Sequence, residues 1–220
     1  MEPRPAATVI VARPAPTIGV EVLALRRSPG SRFAPGFVVF PGGIVARGDE
    51  ELAARWFGDR AEVARACALR ELAEEAGLVM TAGGLVEADR TRPRQADDLP
   101  IPVKGVPEVA RWIAPEFLPV RFDARFFAVP AGADLRAVPD GVEADRAWWS
   151  APSSILEEAR SGDALLMWPT LKMLQALAGC RSVHDVLDLR VEQVPPPVQA
   201  STPSPWPGAA GSSGPRAYRP

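Results

Sequence analysis

Residues 60–77, RAEVARACALRELAEEAG, constrain this chain more than any other stretch. They hold no proline and no internal glycine, and Gly77 stands where a left-handed cap would end a helix. Within that helix Glu71, Glu74 and Glu75 fall at i, i+3 and i+4, so three carboxylates share an arc of about 100°. Leu69, Leu72, Ala73 and Ala76 collect on a different side, which predicts a buried apolar stripe with the acids presented elsewhere. Like charges at this spacing destabilise an isolated helix by about 0.2–0.5 kcal/mol per pair, so something positive is expected among them. The neighbours in the acidic arc, Ala64, Cys67 and Ala68, are small and leave room for a close approach. Three convergent carboxylates suit a hard cation, and magnesium is usually held by one or two carboxylates with waters and substrate phosphates. Such an ion neutralises phosphoryl oxygens and activates water. The same triplet also reads as a solvated face on which Arg70 and Glu74 are i, i+4 partners.

Elsewhere the chain mixes strand patterns with a few helical ones. ATVIVAR (7–13), TIGVEVLAL (17–25), RFDARFFAVP (121–130) and EADRAWWSA (143–151) read as strands. GFVVFPGG (36–43) reads as a short strand stopped by Pro41-Gly42-Gly43, and DEELAARWFG (49–58) as a short helix. Residues from about 90 to 110 are irregular and broken by proline. PSSILEEARSG and PTLKMLQALAG read as helices with a proline near each start and a glycine at each end. Strands and helices without regular βαβ alternation predict an α/β domain, a mixed sheet packed between helices, over residues 1–193. Residues 194–220 are proline-rich with few core residues and are expected to be a disordered tail.

Composition removes several classes of function. One histidine and two cysteines cannot build a zinc site of four cysteines, or one of two cysteines and two histidines. Cys180 and His184 are therefore expected to be structural, and any metal to be held by oxygen. A formal charge of −2 offers no basic field for nucleic acid. No stretch approaches the roughly 18–20 apolar residues of a membrane span, and a cytoplasmic protein is expected.

FPGG followed by a helix bearing RELAEEAGL resembles the Nudix hydrolases, whose signature runs G-x5-E-x7-R-E-U-x-E-E-x-G-U, with U aliphatic. Glu62, Arg70, Glu71, Leu72, Glu74, Glu75, Gly77 and Leu78 match its second half without a gap. The first half departs, because eighteen residues separate Gly43 from Glu62, and an insertion is placed at about 44–61. The resemblance implies an α/β/α sandwich around a mixed sheet. It also implies that Mg2+ or Mn2+ is held by Glu71, Glu74, Glu75 and the Gly42 carbonyl, with Arg70 orienting the acids. Glu71 and Glu143 are both candidates for the general base. Glu62, the first acid of the matched half, directly follows the insertion.

A second pattern, LALRRSPGSRFAPGFVVFPGG, resembles the coenzyme A and acyl-CoA diphosphatase branch through Leu23, Arg27, Ser28, Arg32, Gly36 and Phe40 to Gly43, whereas Ala24 and Leu25 miss its Leu-Thr positions. Guanidinium groups at Arg27 and Arg32 would suit the phosphates of a coenzyme A-like nucleotide. The expected reaction is hydrolysis of the pyrophosphate to 3′,5′-ADP and 4′-phosphopantetheine. An ADP-ribose or ADP-sugar diphosphatase and a non-catalytic Nudix-fold nucleotide-binding module are the alternatives. Phe122, Phe126, Phe127, Trp148 and Trp149 are candidates to line a pocket for adenine or an acyl chain, though aromatic residues on strands are more often core. Whether the chain forms a homodimer stays open.

Overall fold

In strand β1 (Arg4–Pro14), Val9 and Val11 point to one face and Ile10 and Ala12 to the other, and all four are fully buried. A strand apolar on both faces needs cover on both, which in a mixed sheet comes from helices. The computed structural model describes residues 2–15, 17, 19–31, 33–88, 101–118 and 120–195 and supplies that cover. The other strands of the sheet are β2 (Val20–Arg27), β3 (Phe37–Val39) and β4 (Gly42–Ile44). Helices α1 (Asp49–Phe57) and α2 (Val63–Ala76) follow, then a hairpin of β5 (Leu78–Thr81) and β6 (Gly84–Glu87). Strands β7 (Glu108–Ile113), β8 (Phe122–Pro130) and β9 (Ala144–Ser150) come next. The described chain closes with α3 (Pro152–Ser161), β10 (Leu165–Leu166), α4 (Trp168–Leu177) and α5 (Val183–Leu187).

The main sheet runs β10-β3-β2-β1-β8-β7, with β4 also paired to β1 and β9 to β2. Strand β8 lies parallel to β1 from Arg4↔Phe122 to Ala12↔Pro130, while β2 and β4 are antiparallel to it. On one face Val9, Leu23 and Phe127 pack in a single core with Ala53 of α1 and Leu69 and Leu72 of α2. On the other, Ile10, Val22 and Ala128 pack with Ile155 of α3 and Leu171 and Leu174 of α4. The α/β/α layering and mixed sheet agree with the sequence reading.

Several local readings are corrected. Pro41-Gly42-Gly43 does not stop a strand: the chain breaks at Phe40 and Pro41 and then resumes pairing as β4. The irregular stretch holds β7 from Glu108 onward; residues 89–100 lie outside the described residues, as do 196–220 of the expected tail. Gly77 and Gly162 cap α2 and α3 in the left-handed conformation, but α4 ends on Ala178 in a right-handed one, ahead of Gly179. Hairpin β5–β6 and helix α5 have no counterpart in the sequence reading. Of the Cys180 and His184 pair, Cys180 is buried, while His184 sits on the surface beside Asp188 at 2.9 Å.

Helix α2 also buries an arginine. Arg65 donates from Nε to the Val106 carbonyl at 2.7 Å and lies over the rings of Phe57 and Phe127, with its guanidinium paired to Glu62. Arg65→Ala strands that carbonyl and empties the site, and is expected to cost about 2–3 kcal/mol in denaturant unfolding. A loss below about 1 kcal/mol would show that the surrounding rings close over the gap.

Candidate active site

Of the acidic face of α2 only Glu74 is turned to water. Strand β4 runs beneath this face, with Ala7↔Gly43 and Thr8↔Gly42 in register on β1, and only glycine fits between the two. A Cβ on Gly42 would meet the Ala7 carbonyl oxygen at 2.5 Å and the Thr8 Cα at 2.8 Å. A Cβ on Gly43 would meet Glu71 Oε1 at 2.3 Å. Of the small residues in this arc, Cys67 admits a close neighbour, and that neighbour is the chain's own backbone: its Sγ lies 3.8 Å from the Gly43 carbonyl oxygen.

The expectation that α2 presents its acids away from its buried side is corrected by the same contact. Glu75 is 3 % exposed, and its Oε2 accepts the Gly42 N–H at 2.9 Å. Burial raises its pKa to about 8, the repulsion of Glu71 and Glu143 adding to this while the Gly42 N–H and Arg27 oppose it. Glu71 is also raised by burial, with the Arg70 guanidinium acting against the shift. Glu74 is the most exposed of the three and joins Glu71 on Arg70: Nη1 lies 2.8 Å from Glu71 Oε1 and 3.1 Å from Glu74 Oε2. The positive group expected among the acids is thus present in part, and it is Arg70.

The other side of Arg70 is occupied by a residue to which the sequence reading gave no role. Asp49, fully buried at the start of α1, accepts Arg70 Nε–H on Oδ1 at 2.7 Å and Nη2–H on Oδ2 at 3.2 Å. Oδ2 also accepts the Ala46 N–H at 2.7 Å. Burial works against the Arg70 charge, but the Asp49 hydrogen bonds and the Glu71 charge outweigh it and hold the guanidinium above its ordinary range. Glu62 is elsewhere, paired to Arg65 one turn along the helix. The signal that would have found Asp49 is its spacing: five residues separate it from Gly43, as in the signature's first half.

A cavity of about 480 Å³ opens beside these groups. Gly42, Gly43, Arg70, Glu71 and Glu74 line one part, Arg27 and Glu143 another, and Phe33, Trp112, Phe122 and Phe126 form an apolar wall. Arg27 donates from Nε to the Phe33 carbonyl at 2.9 Å and has its Nη2 at 3.9 Å from Glu143 Oε2. Arg32 lies outside the described residues. Of the five aromatic candidates, Phe122 and Phe126 reach the cavity. Phe127 is core, while Trp149 donates to the Leu135 carbonyl under Arg13, and Trp148 stacks with Arg146.

Among the described residues no three His, Cys, Asp or Glu side chains close on one point in metal-holding geometry. Glu75 is turned to the Gly42 N–H, and Glu71 and Glu74 to Arg70. The donor set still fits a hard cation. It is all oxygen, and Glu71 and Glu75 crowd each other in a buried place where added positive charge would favour their ionised forms.

No protein-family model matches the chain. A crystal structure of a NUDIX hydrolase from Alicyclobacillus acidocaldarius matches with a TM-score of 0.73 at 29% identity, covering 86% of this chain and 97% of that one. The NUDIX domain of Shewanella oneidensis NrtR, solved with ADP ribose, matches with a TM-score of 0.53 at 11% identity over 80% of this chain and 86% of that one, a likeness of fold alone. The Caenorhabditis elegans protein called "Putative nudix hydrolase 7" is 41% identical over 63 residues, which is 29% of this chain. The match spans only 19% of the length of that curated relative.

Proposed function

We infer that this chain, supported as a Nudix hydrolase by its fold and by both sequence likenesses, hydrolyses the pyrophosphate bond of a nucleoside diphosphate-linked compound with a divalent metal. The substrate class we infer is coenzyme A or acyl-CoA, cleaved to 3′,5′-ADP and (acyl-)4′-phosphopantetheine. The observation that carries the reaction is the stack of Gly42 and Gly43 beneath Glu71 and Glu75, of which Gly42, Gly43 and Glu71 line one cavity with Arg27 and Glu143 while Glu75 lies buried behind them. Glu71, Glu74, Glu75 and the Gly42 carbonyl would hold Mg2+ or Mn2+. A divalent ion there supplies charge stabilisation and activates water. Arg70 holds the acids, and Glu71 or Glu143 accepts the proton of the attacking water. Arg27 binds the phosphates, as does Arg32 on the sequence reading.

The choice of coenzyme A rests on the sequence pattern from Leu23 to Gly43 and on the apolar cavity wall, which suits the long non-nucleotide part of that molecule. Incubation with coenzyme A, acetyl-CoA and ADP-ribose, each with and without magnesium or manganese, tests it by product mass. Metal-dependent 3′,5′-ADP from the coenzyme A compounds is the expected result. AMP from ADP-ribose alone would shift the substrate to an ADP-sugar, and metal-independent binding of all three without cleavage would make the chain a binding module.

Arg27→Ala removes a charged contact made equally to substrate and transition state. It is expected to raise KM by about 10-fold or more with kcat little changed. A steady-state measurement in which kcat alone falls would move Arg27 from substrate binding to the chemical step.

A further inference from the structure

We propose that Asp49, at the start of α1, is a positioning residue that fixes Arg70 and, through it, Glu71 and Glu74. The inference rests on the reading of these acids as the metal-binding part of a pyrophosphate hydrolase. Its observation is geometric: one guanidinium spans the buried Asp49 on its Nε edge and the two helix acids through Nη1.

The sequence pattern alone assigns to this cluster the acid separated from Arg70 by seven residues, and that acid is Glu62. The structure assigns Glu62 to Arg65 instead, one turn away on α2. Asp49 takes the place beside Arg70; five residues separate it from Gly43, and twenty residues rather than seven then separate it from the arginine. The extra length therefore lies after the first acid of the signature, where α1 carries the chain away and α2 returns it. On this reading the insertion expected at about 44–61 is confined to the stretch that follows Asp49.

A fork held by two oxygens of one carboxylate has little freedom to rotate. With its Nε edge fixed on Asp49, Arg70 presents Nη1 to Glu71 and Glu74 in one orientation. Asp49 is in turn fixed by the Ala46 N–H, two residues beyond β4. The chain thus ties the glycine strand, the start of α1 and the acids of α2 into one hydrogen-bonded unit. Ile44, the last residue of β4, adds its carbonyl to Arg70 Nη2 at 3.4 Å. Loss of the Asp49 charge frees the arginine to turn toward the carboxylates and compete with a cation for them.

The test compares Asp49→Asn, Asp49→Glu and Glu62→Gln with the wild type, by steady-state cleavage of coenzyme A and by Mn2+ titration without substrate. Asp49→Asn is expected to lower kcat and Mn2+ affinity by about 10–100-fold, the range seen when the partner of a metal ligand is removed, with KM within about twofold. Asp49→Glu is expected to recover part of both, and Glu62→Gln to match the wild type in both. Thermal unfolding of each variant identifies loss of fold. Wild-type kcat and Mn2+ affinity in Asp49→Asn, or a loss that vanishes when the assay is run well below its melting temperature, would overturn the inference and leave the function intact. A wild type that neither binds Mn2+ nor cleaves a pyrophosphate would overturn the function, and this inference with it.

Discussion

Gly43→Ala is expected to give a folded protein whose kcat is lower by about 10²-fold or more. The added methyl would lie 2.3 Å from Glu71 Oε1, the far end of a side chain that can swing away, so the fold yields little. What is displaced is a carboxylate on the face where metal and water are expected, and an ångström of misplacement there can cost two orders of magnitude. Gly42→Ala differs in kind, because its methyl meets the Ala7 carbonyl and the Thr8 Cα, both backbone of β1. That clash is relieved only by parting β4 from β1, and a loss of at least about 1–3 kcal/mol in stability is expected. Circular dichroism and thermal melts beside steady-state kinetics separate the two. Equal melting temperatures with equal activities would show that β4 is free to move away from both neighbours.

Glu75→Gln is expected to lower kcat on the order of 10²–10⁴-fold, through the loss of transition-state stabilisation by the metal it helps to hold. The amide oxygen can still accept the Gly42 N–H, so the strand stays in place, but the charge is gone. Removing a buried, repelled carboxylate is also expected to leave the metal-free protein at least as stable as the wild type. The variant should lose the stabilisation that metal gives the wild type, about 2.7 kcal/mol at a hundred times the dissociation constant. A variant less stable without metal, yet still stabilised by it, would place the cation elsewhere.

The layers of the fold were legible because β1 carries a run of apolar residues that needs cover on both faces, and the helix breaks fall at Gly77 and Gly162. The helix acids and Arg70 were legible as a spacing. Their environment was not, because the spacing of Glu71, Glu74 and Glu75 says which residues share a face and nothing of what covers it. The cover is β4, whose two glycines read as a turn, since glycine signals backbone freedom and close packing alike. Asp49 was hidden by its position: an acid opening a short helix reads as a cap, and only the folded chain brings it against an arginine twenty-one residues later. Glu62 misled for the converse reason, being in register along the sequence but turned to Arg65 on the helix.

Hydrolysis of coenzyme A in heavy-oxygen water with magnesium, read by product mass, tests the central claim most directly. The account predicts one heavy oxygen in one of the two phosphate products, none in the pantetheine or nucleoside hydroxyls, and no products without metal or with Glu75→Gln. Label on a carbon-bound hydroxyl, or products formed equally without a divalent ion, would contradict attack of metal-activated water on phosphorus at these acids.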